Sequence, residues 1–357
     1  MGFVHGGNII ATATELGLQV DELIDMSSNL SPLGMVPGLR RVLGEGLEQI
    51  AYLPEATSQS LCALFARCMG CAPEQVMAGN GTTDFIYDLP ARSPFNRAVI
   101  VNPTYSDYRL ACQYSGLSWH DFGTCFPDFS VDLAALGRAL PGGELVFLCN
   151  PNNPTGHLVA SRRLRAFVED HPRTTFIVDE SYLPFCREPS LVAADLPDNL
   201  YILCSSSKIY GIPGLRLGFL VSTPANMADL RAHCRPWSVN RLAQIAGEYL
   251  LSEADGYVRQ VQEFMAQERP AFAARLAELP GISVVPGVTN FILCRLRDRD
   301  ADQLAAHMLS HRIMIRNCAS FDGLDNSYFR VSMKSSADNR YFLATLTSFL
   351  STPLNKP

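Results

Sequence analysis

A cluster of polar and cationic side chains lies between two apolar runs near the middle of the 357-residue chain. The run from Leu200 to Leu203 leads into three consecutive serines and Lys208, and Arg216 precedes a second apolar run that begins at Gly218. Two strands joined by a turn do not need hydroxyl, ammonium and guanidinium groups for packing. A bound anion would explain them, because charged donors form the strongest hydrogen bonds to phosphate and carboxylate oxygens.

The serines and the lysine allow two other interpretations. Ser205 and Lys208 fit the Ser-x-x-Lys pattern of penicillin-binding enzymes, but neither Ser-Asp-Asn nor Lys-Thr-Gly occurs in the chain. Alternatively, the serines only form a turn and Lys208 is a solvated surface lysine. Motifs at the ends of other predicted strands favour the anion-binding interpretation.

Two more apolar runs end in residues that could do chemistry. The run 145–149 is followed by Asn-Pro-Asn-Asn-Pro-Thr-Gly, which contains Asn153, and the run 174–178 is followed by Asp179. Open α/β sheets bind ligands at the carboxyl ends of their strands, so these residues are expected at one site. A carboxylate at the end of a buried strand is costly unless it is paired. An N-cap or a salt bridge would also explain Asp179 by itself.

A glycine turn provides a further candidate anion site. A short strand from Val76 is followed by Gly79-Asn80-Gly81-Thr82 and then by a predicted helix start. The first N–H groups of a helix have no partner within it, and this end of the helix dipole is positive, which suits a phosphate. The N-terminal residues, with His5, two glycines and Asn8, form either a disordered start or an arm that closes over an anionic ligand.

Composition and charge argue against several classes of protein. The chain is 47% hydrophobic and 18% charged, and its net charge of −6 without a basic block predicts binding to neither nucleic acid nor membrane. No apolar run approaches the roughly 18 residues of a membrane span. The first residues do not resemble a signal peptide, so a cytoplasmic location is expected. Cys68 and Cys71 lack a second pair, and His307 and His311 lack an intervening glutamate, so no metal site is predicted.

The order of the predicted elements indicates two domains preceded by an arm. Beyond Pro236, long helical patterns are followed by short strands and a further helix. We expect an N-terminal arm over residues 1–45, a large domain over 46–238 and a small C-terminal domain over 239–357. In the small domain, Arg316 ends a predicted strand that begins at Ile313, and Arg330 lies in another; surface arginines are the alternative interpretation.

Together these motifs resemble those of the fold-type I, pyridoxal 5'-phosphate (PLP)-dependent aminotransferases of class I and II and their decarboxylase relatives. Ser-x-Ser-Lys with Gly-x-x-Gly-x-Arg-x-Gly, Asn-Pro-x-Asn-Pro-Thr-Gly and the strand-end aspartate occur in the family's order. The resemblance implies an α/β fold, with a mostly parallel seven-stranded sheet between helices in a large PLP-binding domain and a smaller C-terminal α/β domain. In the family the lysine binds the cofactor covalently, and the aspartate keeps the cofactor ring an electron sink by pairing with its nitrogen.

The resemblance assigns roles residue by residue. The implied catalytic residues are Lys208, Asp179 and Tyr182. The implied cofactor contacts are Gly81, Thr82, Ser205, Ser207 and Arg216 around the phosphate, Tyr108 stacked on the ring, Asn153 and Tyr182 at the ring oxygen, Asp179 at the ring nitrogen and Lys208 as the Schiff-base lysine.

Finer similarities concern the substrate. Residues 5–8, 28–34, 236–240, 315–318, 323–325 and 328–331 resemble L-threonine-O-3-phosphate decarboxylases of cobalamin biosynthesis more than histidinol-phosphate aminotransferases. The implied reaction is decarboxylation to (R)-1-amino-2-propanol O-2-phosphate. The implied substrate-binding residues are His5, Asn29 and Arg316 towards the phosphate, Arg330 towards the carboxylate, and Gly6 and Asn153.

Other activities remain open from the sequence. With PLP, the bond broken at Cα is the one held perpendicular to the ring, and a sequence does not show that orientation. The alternatives are a 2-oxoglutarate-dependent aminotransferase of the histidinol-phosphate type, a decarboxylase of L-serine O-phosphate and a non-catalytic PLP-binding module. The resemblance also implies a homodimer whose shared sites use a Tyr-Pro-Asp tyrosine. Here the segment is Tyr52-Leu53-Pro54-Glu55, so the tyrosine is displaced by one residue.

Overall fold

The computed structural model describes residues 6–92, 94 and 97–353, so His5 lies outside the described residues. The strands are β1 (Ile24–Asp25), β2 (Val76–Asn80), β3 (Arg97–Asn102), β4 (Ser118–Gly123), β5 (Leu145–Cys149), β6 (Thr175–Asp179), β7 (Leu200–Ser205), β8 (Leu217–Val221), β9 (Ile282–Val284), β10 (Phe291–Leu296), β11 (Ile313–Met314), β12 (Arg316–Asn317) and β13 (Tyr328–Ser332). The α-helices are α1 (Ile9–Leu16), α2 (Leu39–Gly46), α3 (Gln59–Met69), α4 (Thr82–Arg92), α5 (Asp107–Tyr114), α6 (Leu133–Arg138), α7 (Ser161–Glu169), α8 (Ser206–Ile209), α9 (Pro224–Arg231), α10 (Arg241–Glu253), α11 (Asp255–Ala277), α12 (Ala301–Ser310) and α13 (Ser336–Ser351). Short 3-10 helices span Val20–Glu22, Leu47–Ala51, Pro73–Gln75, Leu183–Phe185 and Pro213–Leu215.

The large sheet has seven strands in the order β2-β8-β7-β6-β5-β3-β4. Neighbouring strands from β4 across to β7 are parallel, whereas β8 is antiparallel to both β2 and β7. The mostly parallel seven-stranded sheet that the family resemblance implied is confirmed. Strand β5 is buried along its whole length, as expected where helices cover both faces of a sheet.

Alternate side chains of the central strands enter two separate apolar clusters. Ile177 and Leu203 pack in one cluster, and Phe176, Val178 and Ile202 pack in the other. Because successive side chains of a strand point to opposite faces, these clusters are the packing layers on the two sides of the sheet. The sheet is therefore held rigidly, which fixes the positions of the loops at its edge.

The smaller sheet has four antiparallel strands in the order β12-β13-β10-β9. Phe291 and Phe329 of this sheet are fully buried in the same cluster as Ile177 of the large sheet, so the two sheets share a core. The single predicted strand from Ile313 to Arg316 is wrong. The chain changes partner at Ile315, because β11 pairs with β1 and β12 pairs with β13.

The segment before the large sheet is attached to the small one. Ile24 is the register partner of Ile313, and the backbone N–H of Ser332 donates to the carbonyl of Met26 at 2.8 Å. The domain limits near residues 45 and 238 stay predictions. None of the described helices combines the length and the apolar composition that crossing a bilayer requires. The described part of the chain contains no group of three or more His, Cys, Asp or Glu side chains that could hold a metal ion.

Candidate active site

The carboxyl ends of β5, β6 and β7 meet at one edge of the large sheet. In the strand register, Asp179 lies between Cys149 and Leu203. Asn153, just after β5, and Ser205, at the end of β7, consequently reach the same place. Two adjoining cavities of about 120 and 130 Å³ lie here.

The two cavities contain nearly all the predicted site residues, and we name each cavity after one residue. Gly81 is the one predicted residue of the described chain that lines neither. Four of the lining side chains are cationic and one, Asp179, is a carboxylate, so the site attracts anions. Tyr105, Asn153, Tyr182 and Lys208 line both cavities; the Asp179 cavity adds Thr82, Thr83, Ile86, Tyr108, Cys149, Asp179, Ser181, Ser205, Ser207 and Arg216, and the Arg330 cavity adds Gly6, Ser27, Ser28, Asn29, Ser106, Arg316, Ser320, Phe321 and Arg330.

Asp179 is a buried carboxylate that is only partly satisfied by the protein. Asp179 is only 5% exposed to solvent. Oδ2 accepts a hydrogen bond from Tyr108 Oη at 2.8 Å, and Oδ1 accepts one from the backbone N–H of Ser181 at 2.9 Å. Burial raises the pKa of Asp179, although hydrogen bonds from Ser181 and Tyr108 and the charge of Lys208 oppose the rise. A cationic group of a ligand in this cavity would offset the cost of the buried charge.

Lys208 lies in α8, one helical turn that directly follows β7. Burial lowers the pKa of its ammonium to about 8, and the charges of Arg330 and Arg216 add to this effect. Among the described residues, no hydrogen bond or ion pair holds the ammonium. The lysine therefore has a substantial neutral fraction near neutral pH, which is the form that acts as a nucleophile.

An anion cradle forms where α4 begins beside Arg216. Gly81 has a φ of +79°, and a Cβ built on it would lie 2.4 Å from Arg216 Nη2. A Cβ on Gly218 would lie 2.6 Å from the backbone nitrogen of Thr82. The two glycines thus let the guanidinium and the strand pack against the start of α4. A phosphate there would meet the positive end of the helix, with its first backbone N–H groups, and a guanidinium.

Tyr108, which the resemblance places over the cofactor ring, is buried and lines the Asp179 cavity. Its ring is stacked on Phe147, with centroids 4.9 Å apart and planes at 13°, and its hydroxyl is engaged by Asp179. The Tyr108 ring therefore packs in the core, and its hydroxyl points towards the Asp179 carboxylate. Tyr105, whose ring meets that of Tyr108 edge-on at 5.7 Å, lines both cavities. Tyr105 is not among the residues predicted from the sequence, although it follows Asn102-Pro103-Thr104 at the carboxyl end of β3.

The guanidinium of Arg330 is buried, and the oxygens that accept its hydrogen bonds are neutral. Nη1 donates to Asn153 Oδ1, and Nη2 donates to the carbonyl of Ser27 at 2.8 Å. Within the described chain, the buried Nε has no hydrogen-bond partner. Burial lowers the pKa of Arg330, and the guanidinium lies over the ring of Phe291 at 5.2 Å. A ligand carboxylate in the adjoining cavity would stabilise this charge.

Asn29 links the N-terminal segment to a tyrosine of the site. Its Nδ2 donates to Tyr182 Oη at 3.0 Å, and its Oδ1 accepts from Ser332 Oγ at 2.8 Å. All three residues are buried. This chain of hydrogen bonds fixes the Tyr182 hydroxyl between the cavities. No local pattern in the sequence around Asn29 predicts these hydrogen bonds.

Arg316 lies at the far side of the Arg330 cavity. Nη2 donates to Ser320 Oγ at 2.7 Å, and the guanidinium lies over the ring of Phe321 at 5.4 Å. Gly6 is adjacent, since a Cβ on it would lie 3.4 Å from Arg316 Cδ. By contrast, Tyr52 is 73% exposed and lines neither cavity.

Comparisons with known proteins give a family model and relatives that span most of the chain. The family model described as aminotransferase class I and II matches residues 21–346. The chain is 36% identical over 353 residues to a threonine-phosphate decarboxylase of Salmonella typhimurium, covering 97% of this chain and 96% of the relative. It is 34% identical to a histidinol-phosphate aminotransferase of Methylobacillus flagellatus, covering 97% and 94%. The crystal structure of an L-threonine-O-3-phosphate decarboxylase from Porphyromonas gingivalis matches with a TM-score of 0.85 and 29% identity, covering 92% of this chain and 100% of that one.

Proposed function

Because the chain belongs to the aminotransferase class I and II family, whose members are PLP-dependent, we propose that it decarboxylates L-threonine O-3-phosphate to (R)-1-amino-2-propanol O-2-phosphate in cobalamin biosynthesis. The proposal is supported by the full-length similarity to a threonine-phosphate decarboxylase. The observation that carries it is the pair of arginines in the Arg330 cavity, which suits a small substrate with two anionic groups.

The Asp179 cavity fits PLP in its charges and hydrogen-bonding groups. The cradle suits the cofactor phosphate, the buried Asp179 suits a protonated ring nitrogen, and the neutral amine of Lys208 suits the aldehyde. We assign the stacking role to Tyr105 in place of Tyr108, and we give Tyr108 the task of orienting Asp179. We further propose that Gly81, Thr82, Ser205, Ser207 and Arg216 form the phosphate site and that Asn153 and Tyr182 contact the ring oxygen.

Lys208 is proposed to attach the cofactor and to move a proton. When bound, PLP accepts the electrons of the bond that breaks at the substrate Cα. A lysine with a pKa of about 8 exchanges protons readily near neutral pH. Its Nζ would therefore return a proton to Cα after the carboxylate has left. The hydrogen bonds from Tyr108 and Ser181 meanwhile keep Asp179 in one orientation.

The spacing of Arg316 and Arg330 favours a short substrate. The two residues are register partners on the neighbouring strands β12 and β13. Directly opposed residues of an antiparallel pair lie about 5 Å apart and project from the same face. Anions bound by the two guanidinium groups must then be close together, as a carboxylate and a phosphate on adjacent carbons are. In this proposal Arg330 binds the carboxylate, and Arg316 with Gly6 and Asn29 binds the phosphate.

An aminotransferase of the histidinol-phosphate type is the second candidate, and the identity to such an enzyme favours it. The two candidates differ in their need for an acceptor. Incubation with threonine phosphate and no oxo acid should release CO2 and the amino alcohol phosphate. Turnover that depends absolutely on 2-oxoglutarate would rule out the decarboxylase. Serine phosphate and histidinol phosphate, assayed side by side, identify the preferred substrate.

A non-catalytic PLP-binding module is the third possibility. The variant Lys208→Ala separates it from an enzyme, because it removes the amine and leaves the surrounding sheet in place. Loss of all turnover in this variant, with the fold retained, would support catalysis. Turnover that survives in Lys208→Ala would contradict the roles proposed for this lysine.

We propose that the enzyme is a homodimer that covers an exposed apolar segment. Leu47, Ile50, Tyr52 and Leu53 are 53%, 61%, 73% and 74% exposed. A neighbouring set of apolar side chains in water is typical of an interface. The variant Leu53→Asp should weaken the dimer in sedimentation experiments, and a monomeric wild type would contradict the proposal. The cytoplasmic location stays a prediction from the sequence.

A further inference from the structure

Lys208 lies in a helical turn that is too short to be stable without contacts from outside it. Helix α8 has four residues, and the last carbonyls of any helix have no partners inside it. A single turn is also unstable by itself in water. The carbonyl of Lys208 accepts a hydrogen bond from the backbone N–H of Ser31 at 2.9 Å and a longer one from that of Gly211 at 3.4 Å. The shorter bond thus comes from the N-terminal segment.

Ser31 is in turn fixed by Tyr257. The two hydroxyl oxygens are 2.6 Å apart and buried, and Tyr257 Oη donates to the carbonyl of Gly34 at 2.5 Å. Because a tyrosine hydroxyl has a single proton, Ser31 is the donor to Tyr257. Tyr257 lies in the first turn of α11. It therefore ties residues 27–34, which we call the strap, to the long helix α11.

The strap also packs directly on the loop that follows Lys208. Gly211 has a φ of +65°, and a Cβ built on it would lie 2.5 Å from the carbonyl oxygen of Gly34. Such a contact leaves no room for a side chain, so the strap and the loop are closely packed. Earlier in the strap, Ser27 binds Arg330 and Asn29 binds Tyr182.

We propose that Tyr257 is a positioning residue, which holds the Ser31 amide on the Lys208 carbonyl and so fixes the direction in which the lysine leaves α8. The inference rests on the proposed function only in taking Lys208 as the lysine that attaches the cofactor. Without the Tyr257 hydroxyl, Ser31 is released and α8 loses its nearest external partner. Water then reaches the turn, and the lysine becomes less buried.

Tyr257→Phe tests this, because it removes the hydroxyl and keeps the ring that packs 6.3 Å from that of Tyr210. Tyr249→Phe is the matched control. Its hydroxyl also donates to the N-terminal segment, to the carbonyl of Pro37 at 2.8 Å, but it lies beyond the strap and has no link to Lys208. Ser31→Ala removes the other hydroxyl of the same hydrogen bond. It replaces Tyr257→Phe in the test if that variant does not fold.

The first readout is hydrogen exchange of peptides from the strap in the cofactor-free protein. Loss of one hydrogen bond should speed exchange about fivefold in Tyr257→Phe and leave it unchanged in Tyr249→Phe. The second readout is the pH profile of the rate of PLP capture, followed by the absorbance of the bound cofactor. The wild-type midpoint is expected near the Lys208 pKa of about 8. Because burial lowers that pKa, exposure should move the midpoint upward by about half a unit in Tyr257→Phe.

Both changes together support the inference. Wild-type exchange in the strap, or faster exchange with an unmoved pH midpoint, would overturn it, because Tyr257 would then have no effect on the lysine. A wild-type protein that captures no PLP would contradict the proposed function instead. In that case two measurements still decide whether Tyr257 positions the lysine. They are the hydrogen exchange of strap peptides and the pH profile of the reaction of Lys208 with a small aldehyde.

Discussion

The hydroxyl of Tyr108 should stabilise Asp179 in a pH-dependent way. Its Oη donates to Asp179 Oδ2 at 2.8 Å, and its ring is stacked on Phe147. Tyr108→Phe therefore removes one hydrogen bond and leaves the packing unchanged. A hydrogen bond to a charged group contributes about 1.5–3 kcal/mol, whereas one to a neutral group contributes about 0.5–1.5 kcal/mol. The cost of the substitution consequently depends on whether the carboxyl group is ionised.

The sign follows from the raised pKa of Asp179. A carboxyl group whose pKa is higher in the folded protein than in the unfolded chain lowers stability as pH rises from its usual value near 3.8 through the raised value. Losing the Tyr108 hydrogen bond raises the pKa further. The free energy of unfolding of the cofactor-free protein should thus fall by about 1.5–3 kcal/mol at pH 8, and by less as the pH approaches 4.5.

Urea denaturation of the cofactor-free protein at pH 8 and near pH 4.5 measures this difference. Tyr114→Phe is a suitable control, because Tyr114 ends the same helix but is 81% exposed. Other carboxyl groups titrate equally in all variants, so their contributions cancel in the comparison. A cost for Tyr108→Phe that is the same at both pH values, or below about 0.5 kcal/mol at pH 8, would refute the reasoning.

Three further predictions concern the same cavities. Asp179→Asn should make the cofactor-free protein more stable at pH 8 in urea denaturation while it weakens PLP binding in an absorbance titration; lower stability would contradict the cost assigned to the buried charge. Arg330→Gln should raise the KM for threonine phosphate about 10- to 100-fold with the PLP absorbance retained, and an unchanged KM would remove Arg330 from the substrate site. Gly81→Ala should raise the dissociation constant of PLP about tenfold or more, since the added Cβ would lie 2.4 Å from Arg216 Nη2 at a φ of +79°; equal retention of PLP on dialysis would argue against the cradle.

The sequence predicted those parts of the site that depend on local signals. Asn153, Asp179 and Ser205 each follow an apolar run, and parallel strands bring such ends to one edge of a sheet. The glycine turn before α4 was recognisable because only its backbone conformation and the following helix matter. The register that places Arg316 opposite Arg330 was not recognisable from the sequence. The segment predicted there as a single strand changes its partner strand at Ile315.

Contacts between distant parts of the chain could not be predicted. Asn29 meets Tyr182 across 153 positions, and Ser31 meets Tyr257 across 226. No local pattern encodes such pairs, because they depend on how the sheets and the N-terminal segment pack. The choice between Tyr105 and Tyr108 is of the same kind. Both follow β3 closely and both line the Asp179 cavity, and the contacts of Tyr108 with Phe147 and Asp179 are the reason why we propose Tyr105 for the stacking role.

The four residues shared by the two cavities limit how the enzyme can be redesigned. Under the proposed function, changes at the shared residues should affect the cofactor and the substrate together. Ser106, Ser320 and Phe321 line the Arg330 cavity alone. If the substrate binds in the Arg330 cavity as proposed, a mutant library confined to these three positions should change substrate preference without changing any residue of the Asp179 cavity.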